Sequence, residues 1–429
     1  MAPLILSSLI FLVCLILIFT EKVNRTILAL LGASIMIVAG KLLHFYNEEE
    51  AIRAIDLNTI GLLLGMMILV ALLEPTGFFQ YIAALVGKLS KGRPVRLLVL
   101  LGSATTFISL FLDNVVTVVL VVPVTILICE ILGLNPLPFL LSEAILSDTG
   151  GIATMIGSPT SVIIASAAGF SFNDFLVHAL PVIFITWCSA LGLLIFLFRK
   201  SLFNVPTNRE AIANLDPSKA IKDRKTIFYT LIMIVIAIIG FGLEEYLDTL
   251  PSIIAIFTAS VALILVRPPI KEVLKLVEWD ILLFFAGLFM IVGGMKGAGV
   301  FDLLADLLRE AIHLPPIIFN LAVLWLTALM SAVVDNIPIT IALAPILQEM
   351  AKTGMNINPL WWALAFGVGL GGTGTIIGST TNVVVASLSE KTHTPITPKI
   401  WNKYGLPVML LTGVVESILF IVISLLNLW

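Results

Sequence analysis

The sequence predicts an all-α integral membrane protein of two inverted repeats, with about ten transmembrane helices, two re-entrant helical hairpins and two broken helices. Three observations carry this. Of 429 residues, 59% are hydrophobic and 12% charged, whereas a soluble domain carries roughly 25% charged residues. Mean hydropathy is +1.12. Apolar runs of spanning length recur along the chain, and the second half repeats the first at a nearly constant offset.

A spanning helix needs about 20 apolar residues because the hydrocarbon core is about 30 Å thick. Runs of that kind lie at 3–20, 26–42, 59–74, 179–198, 226–242, 250–266, 279–295 and 405–428. The first of them lacks a basic leader and a small-residue cleavage site, so it reads as a span and not a signal peptide. Regions 97–170 and 317–389 are apolar but carry polar residues and glycines at mid-membrane depth. Such backbone is tolerated in a bilayer only where protein or a watery cavity surrounds it. Each region is therefore expected to form a hairpin, 97–132 and 317–352, followed by a broken helix, 138–170 and 360–389.

A shift of 222 residues places Gly65 on Gly287, Ser109 on Ser331, Asp113 on Asp335, Asn114 on Asn336 and Pro123 on Pro345. One residue less places Gly151 on Gly372, Thr154 on Thr375, Gly157 on Gly378 and Ser158 on Ser379. Residues 1–198 form the first expected repeat and 226–429 the second. The stretch 199–225 is a cytoplasmic linker carrying seven basic residues. With both termini outside, the cytoplasmic segments hold 19 of the 24 Lys and Arg, and the external loops are acidic at Glu48–Glu50 and at Glu244, Glu245 and Asp248. This positive-inside bias sets the orientation and makes the two repeats run in opposite directions across the membrane. The expected location is the inner cell membrane.

Other classes find little support. A net charge of -3 offers nothing to nucleic acid. Cys14, Cys129 and Cys188 are scattered, and His44, His178, His313 and His393 do not cluster. Neither set suggests a disulfide framework or a metal site. No catalytic constellation and no cofactor are expected.

The chemistry concentrates at four places. Asp113-Asn114 and Asp335-Asn336 sit at the midpoints of the two hairpin regions. A carboxylate at that depth costs several kcal/mol unless paired, hydrated or protonated. Asp113 and Asp335 are thus candidate proton or cation carriers, and Asn114 and Asn336 candidate cargo ligands; both pairs also suit helix capping. The first break runs Asp148-Thr-Gly-Gly-Ile-Ala-Thr-Met-Ile-Gly-Ser-Pro-Thr-Ser161, the second Gly369-Leu-Gly-Gly-Thr-Gly-Thr-Ile-Ile-Gly-Ser-Thr-Thr-Asn382. Glycines allow unwound backbone, Ser and Thr hydroxyls donate and accept without charge, and each following half-helix presents its amides. Candidate cargo ligands are Thr117, Thr149, Gly150, Gly151, Thr154 and Ser158 in the first half, and Gly372, Thr373, Thr375, Ser379 and Asn382 in the second. Asp148, aligned with Gly369, is either a third proton carrier or a cap of the break. Glu143 and Glu416 in apolar runs are expected to be structural. The segments Phe78–Leu89 and Val300–His313 read as short interfacial amphipathic helices.

At these motifs the chain resembles the ion-transporter superfamily, most closely its arsenical pump and P-protein branch. The Phe-Leu-Asp-Asn-Val tip and the Gly-Gly-Ile-Ala-Thr-Met-Ile-Gly-Ser break carry the resemblance. It implies a scaffold domain and an elevator-like transport domain, and leaves open a homodimer or an accessory ATPase subunit. The breaks read Gly157-Ser-Pro-Thr-Ser and Gly378-Ser-Thr-Thr-Asn, departing from relatives that carry Pro-Pro-Asn there. No Lys or Arg is expected near either break, which favours a neutral or weakly charged cargo. The expected activity is arsenite or antimonite efflux in exchange for protons. Alternatives are sodium/proton antiport, small organic-anion transport and a passive metalloid channel.

Overall fold

Asp and Asn side chains open many of the helices by accepting from the first free amides. Asn24 does so for α2 (Arg25–Leu42), Asp56 for α3 (Leu57–Leu73) and Asp223 for α10 (Arg224–Gly242). This computed structural model describes residues 1–19, 23–203, 216–304, 315–352 and 356–426. The remaining principal helices are α1 (Ala2–Phe19), α4 (Phe78–Ser90), α5 (Pro94–Ser109), α6 (Asn114–Leu132), α7 (Leu137–Gly151), α8 (Pro159–Ala168), α9 (Leu180–Leu197), α11 (Pro251–Val266), α12 (Trp279–Gly297), α13 (Pro316–Val333), α14 (Asn336–Ala351), α15 (Asn358–Gly374), α16 (Thr380–Ser389) and α17 (Pro398–Leu425).

The interrupted regions fold as helix–turn–helix pairs, α5–α6 and α13–α14, each followed by a helix in two pieces, α7/α8 and α15/α16. Among the described residues eight helical stretches are long and apolar enough to cross a membrane. Two of these, Asn114–Leu132 and Pro316–Val333, are arms of the hairpin pairs, while Ala2–Ile18 and Pro251–Val266 are shorter apolar helices. The expected amphipathic helix at 78–89 forms as α4. Most of its expected counterpart at 300–313 lies outside the described residues.

Packing sorts the helices into two groups. α2 packs on α12 and α3 on α11, with α1 and α10 beside them. These crossings are close because Gly65 and Gly287 lie against Ala255 and Ala29. A Cβ on Gly65 would stand 2.5 Å from the Ala255 carbonyl carbon, and one on Gly287 would stand 2.8 Å from that of Ala29. In the second group α5 packs on α7, α13 on α15, and α9 on α17. The groups meet where α3 touches α8 and α12 touches α14. Helices buried all round belong inside protein, and helices with an apolar exposed stripe face lipid. Residues 138–151 of α7 and 360–374 of α15 are all buried. On α2, Ile27, Leu31, Ile35 and Val38 instead form an exposed stripe at helical spacing.

The cap of α10 yields a pH prediction. Asp223 accepts from the Lys225 and Thr226 amides at 3.0 and 3.1 Å and from Thr226 Oγ1 at 2.6 Å. The Thr226 hydroxyl and amide hold its carboxyl below the usual 3.8. A depressed carboxylate stabilises above its unfolded value, and the effect is lost as pH falls through the folded one. Asp223→Ala is expected to cost about 1 kcal/mol at neutral pH. In thermal unfolding at stepwise lower pH, the gap from the parent should close below the carboxylate range.

Candidate functional site

Both hairpin tips start their second arm with an aspartate cap. Asp113 accepts from the Val115 amide at 2.8 Å, and Asp335 from the Ile337 amide at 3.1 Å. At the first tip the next asparagine points inward. Asn114 is 7% exposed and donates to Asp148 Oδ1 at 3.1 Å. Its own Oδ1 accepts from Ser109 Oγ, which also lies 2.9 Å from Ser147 Oγ. The first tip is thereby tied to the end of α7.

The breaks are pinned to the tips by the same bonds in both halves. Thr154 Oγ1 donates to the Leu110 carbonyl and accepts from the Gly157 amide at 3.0 Å. Thr375 Oγ1 donates to the Ala332 carbonyl and accepts from the Gly378 amide at 3.2 Å. Leu110 and Ala332 stand 222 positions apart, like the two Asp-Asn pairs. Glycine is required where break and tip touch. A Cβ on Gly157 would sit 2.6 Å from the carbonyl oxygens of both Gly151 and Ser109, and one on Gly378 would sit 2.8 Å and 2.9 Å from those of Gly372 and Ser331.

The halves then exchange contacts, with α14 against α8 and α16 against α6 and α7. At the α7–α16 junction Asp148, 4% exposed, faces the Ser379 and Thr381 hydroxyls. Its Oδ2 is buried without a donor at hydrogen-bonding distance among the described residues. Asn382 Nδ2 donates to the Gly372 and Thr375 carbonyls at 2.7 and 2.9 Å, leaving its buried Oδ1 without a donor. Two acceptors on neighbouring elements are thus unsatisfied in protein interior, where such a group costs about 1–3 kcal/mol.

Other candidates lie elsewhere. Thr149 and Thr373 donate to the Ile145 and Leu370 carbonyls of their own helices, and Thr117 to the Asp113 carbonyl. Gly150 faces Thr106 on α5. Ser158 Oγ lies 2.7 Å from Thr160 Oγ1. Asn336 Nδ2 lies near Gly372. Glu143 accepts from Thr125 at 2.6 Å in the α6–α7 interface, and Glu416 is fully buried on α17.

Each tip carboxylate lines a cavity. Asp113 shares one of about 240 Å³ with Met66, Glu74, Lys275 and Glu278. Asp335 shares one of about 220 Å³ with Asn24, Arg25, Phe284 and Thr380. The expectation that no cation lies near either break is corrected here. Arg25 Nη1 lies 2.8 Å from Thr380 Oγ1, at the start of the second half-helix, and 3.4 Å from Asp335 Oδ2. Arg25 is 310 positions from Asp335, so only the fold brings them together. Ser109 and Ser331 were visible in the repeat alignment but not as tip ligands. Ser331 bonds the Val368 carbonyl at 2.7 Å, where Ser109 instead holds Asn114.

Paired hairpin tips and broken helices buried within one helical group are the architecture of a secondary transporter. Comparison with known proteins supplies the family. Residues 15–367 match the profile described as "Citrate transporter", and the chain belongs to that family, within the ion-transporter superfamily. It is 35% identical to the "46 kDa membrane protein" of Mycobacterium leprae, over 95% of this chain and 96% of that one. It is 36% identical to an uncharacterized transporter of Mycobacterium tuberculosis over 94% of both chains. It is 30% identical to the human P protein, covering 92% of this chain and 57% of that protein. Among solved structures the Alcanivorax borkumensis YdaH transporter shares the fold, with a TM-score of 0.63 and 16% identity over 99% of this chain and 98% of that one. The protein is accordingly a multi-pass membrane transporter and not an enzyme.

Proposed function

We propose that this transporter exports arsenite or antimonite in exchange for protons by alternating access. The observation that carries this is the two buried acceptors on α7 and α16, Asp148 Oδ2 and Asn382 Oδ1. Several nearby donors are already spent: the Asn114 amide on Asp148, the Asn382 amide on backbone, Thr154 and Thr375 on the hairpin tips, while the Ser379 and Thr381 hydroxyls face Asp148. Such a junction favours a guest that donates hydrogen bonds. Arsenous acid is a small neutral triol at neutral pH, and a proton on Asp148 would satisfy the same acceptor. A carboxylate guest would place acceptor against acceptor.

In this reading Asp113, Asp148 and Asp335 exchange protons, while Asn114, Asn336, Asn382 and the break backbones around Gly151 and Gly372 hold the cargo. Residues 1–198 and 226–429 are oppositely oriented repeats, and the termini lie outside. The α2–α3–α11–α12 group is the scaffold, and the α5–α9 and α13–α17 group moves. Both tip cavities open beside residues 23–25 and 275–278, which the charge bias assigns to the cytoplasm, so this conformer faces inward.

A second reading has its own support. The family description names citrate, and Arg25 beside Thr380 could hold one carboxylate of a small organic anion. Uptake into everted vesicles under an imposed proton gradient separates the two. Proton-dependent arsenite accumulation that excess citrate does not inhibit is expected. Citrate uptake without arsenite uptake, or sodium exchange that ignores arsenite, would reject the assignment. Asp148→Asn is expected to weaken apparent arsenite affinity by about tenfold or more, because a hydrogen bond to a charged group contributes ~1.5–3 kcal/mol.

A further inference from the structure

Arg25 is the first residue of α2, in the outer helical group, yet its guanidinium is spent on the inner one. Nη1 donates to Thr380 Oγ1 at 2.8 Å, and that hydroxyl donates to Asp335 Oδ2 at 2.7 Å. The same Nη1 stands 3.4 Å from Asp335 Oδ2. The Arg25 Cζ lies 5.3 Å from the centre of the Phe284 ring of α12, so the outer group holds the cation from behind. Arg25 and Asp335 are only 24% and 20% exposed, which limits screening by solvent.

Among the described residues the first tip has no equivalent. The position matching Arg25 at the 222-residue shift is Leu247, and that matching Thr380 at the 221-residue shift of the breaks is Pro159. Asp113 instead faces a cavity edged by Glu74, Lys275 and Glu278. Among the described residues, one tip is therefore fastened to the outer group by a charged bond and the other is not. The charged groups around the fastening are Asp113, which feels both Arg25 and Asp335, and Glu278, which feels Arg25, Asp113 and Asp280.

We propose that Arg25 is a tethered counter-cation that latches the second hairpin tip to the scaffold whenever Asp335 is ionised and unloaded. A proton on Asp335 removes the acceptor and frees the inner group to move. The latch stops the empty carrier from returning uncoupled, and Arg25 acts as a positioning residue through Asp335. This rests on reading Asp335 as the coupling carboxylate, so the test reads the latch and the coupling separately.

Spin labels are placed at Ile27→Cys on α2 and Val333→Cys at the end of α13, both exposed, with Cys188→Ser to remove the exposed cysteine. The full-length protein is studied in lipid nanodiscs without substrate, across pH. A single narrow distance is expected at alkaline pH, with a second population appearing as pH falls. Arg25→Gln should show both populations at every pH, Asp335→Asn should do the same, and Arg25→Lys should restore part of the pH dependence. In proteoliposomes Arg25→Gln should raise cargo-independent proton leak severalfold. A single, unchanged distance in Arg25→Gln, checked as monodisperse and folded, would overturn the latch. So would a narrow distance in Asp335→Asn with a broad one in Arg25→Gln, since Thr380 would then be the true anchor. If the distances behave as expected but Asp335→Asn still couples to protons, the latch stands and the coupling assignment falls.

Discussion

Asp335→Asn and Asp113→Asn are each expected to abolish proton-coupled transport while the protein stays folded. Both aspartates cap the arm that follows them, and asparagine caps about as well. The hairpin geometry should survive, whereas the ability to gain and lose a proton does not. For Asp335 the change also removes the charged partner of Arg25. Coupled uptake in proteoliposomes should fall to the level of protein-free vesicles, because asparagine can neither bind nor release the exchanged proton. The melting temperature in detergent should move by no more than a few degrees. Replacement by alanine should cost about 1 kcal/mol more in stability through the lost cap. Wild-type coupling in both asparagine variants would remove these aspartates from the mechanism.

Gly157→Ala is expected to be nearly as damaging, for a steric reason. The added Cβ meets two backbone carbonyl oxygens, those of Gly151 and Ser109. Backbone cannot rotate aside as a side chain can, so the break must lift off the hairpin tip. Overpacking of this kind costs ~1–3 kcal/mol. Here the displaced elements carry Asn114 and Asp148, so transport should fall further than stability. Gly378→Ala should act likewise but more mildly, because its carbonyl contacts are longer. Gly192→Ala on α9 serves as the control: a Cβ there meets nothing within 4 Å, and transport should be unchanged. Full activity in Gly157→Ala would mean that the break does not need to stay seated on the tip.

Much of the site was legible because its signals are local. Asp113-Asn114 and Asp335-Asn336 stand out because charge is rare in apolar sequence, and their recurrence excluded accident. Glycine, proline and aspartate punctuate both interrupted regions, and several helices there begin or end at or beside such residues. What sequence could not separate was direction. Thr149 and Thr154 look alike, yet Thr149 bonds its own helix and Thr154 bonds the hairpin tip. Which way a hydroxyl turns depends on what packs against the helix.

The sequence by itself determined the membrane-spanning character, the twofold recurrence and the four polar interruptions, because hydrophobic length and periodicity are properties of the chain alone. Only the tertiary structure decided who meets whom: Asp148 against Ser379 and Thr381, and Arg25 against Asp335 and Thr380. Those pairs join residues hundreds of positions apart. Their approach is set by close helix crossings at Gly65 and Gly287 and by the exchange of half-helices between the two halves, and no spacing along the chain encodes that distance.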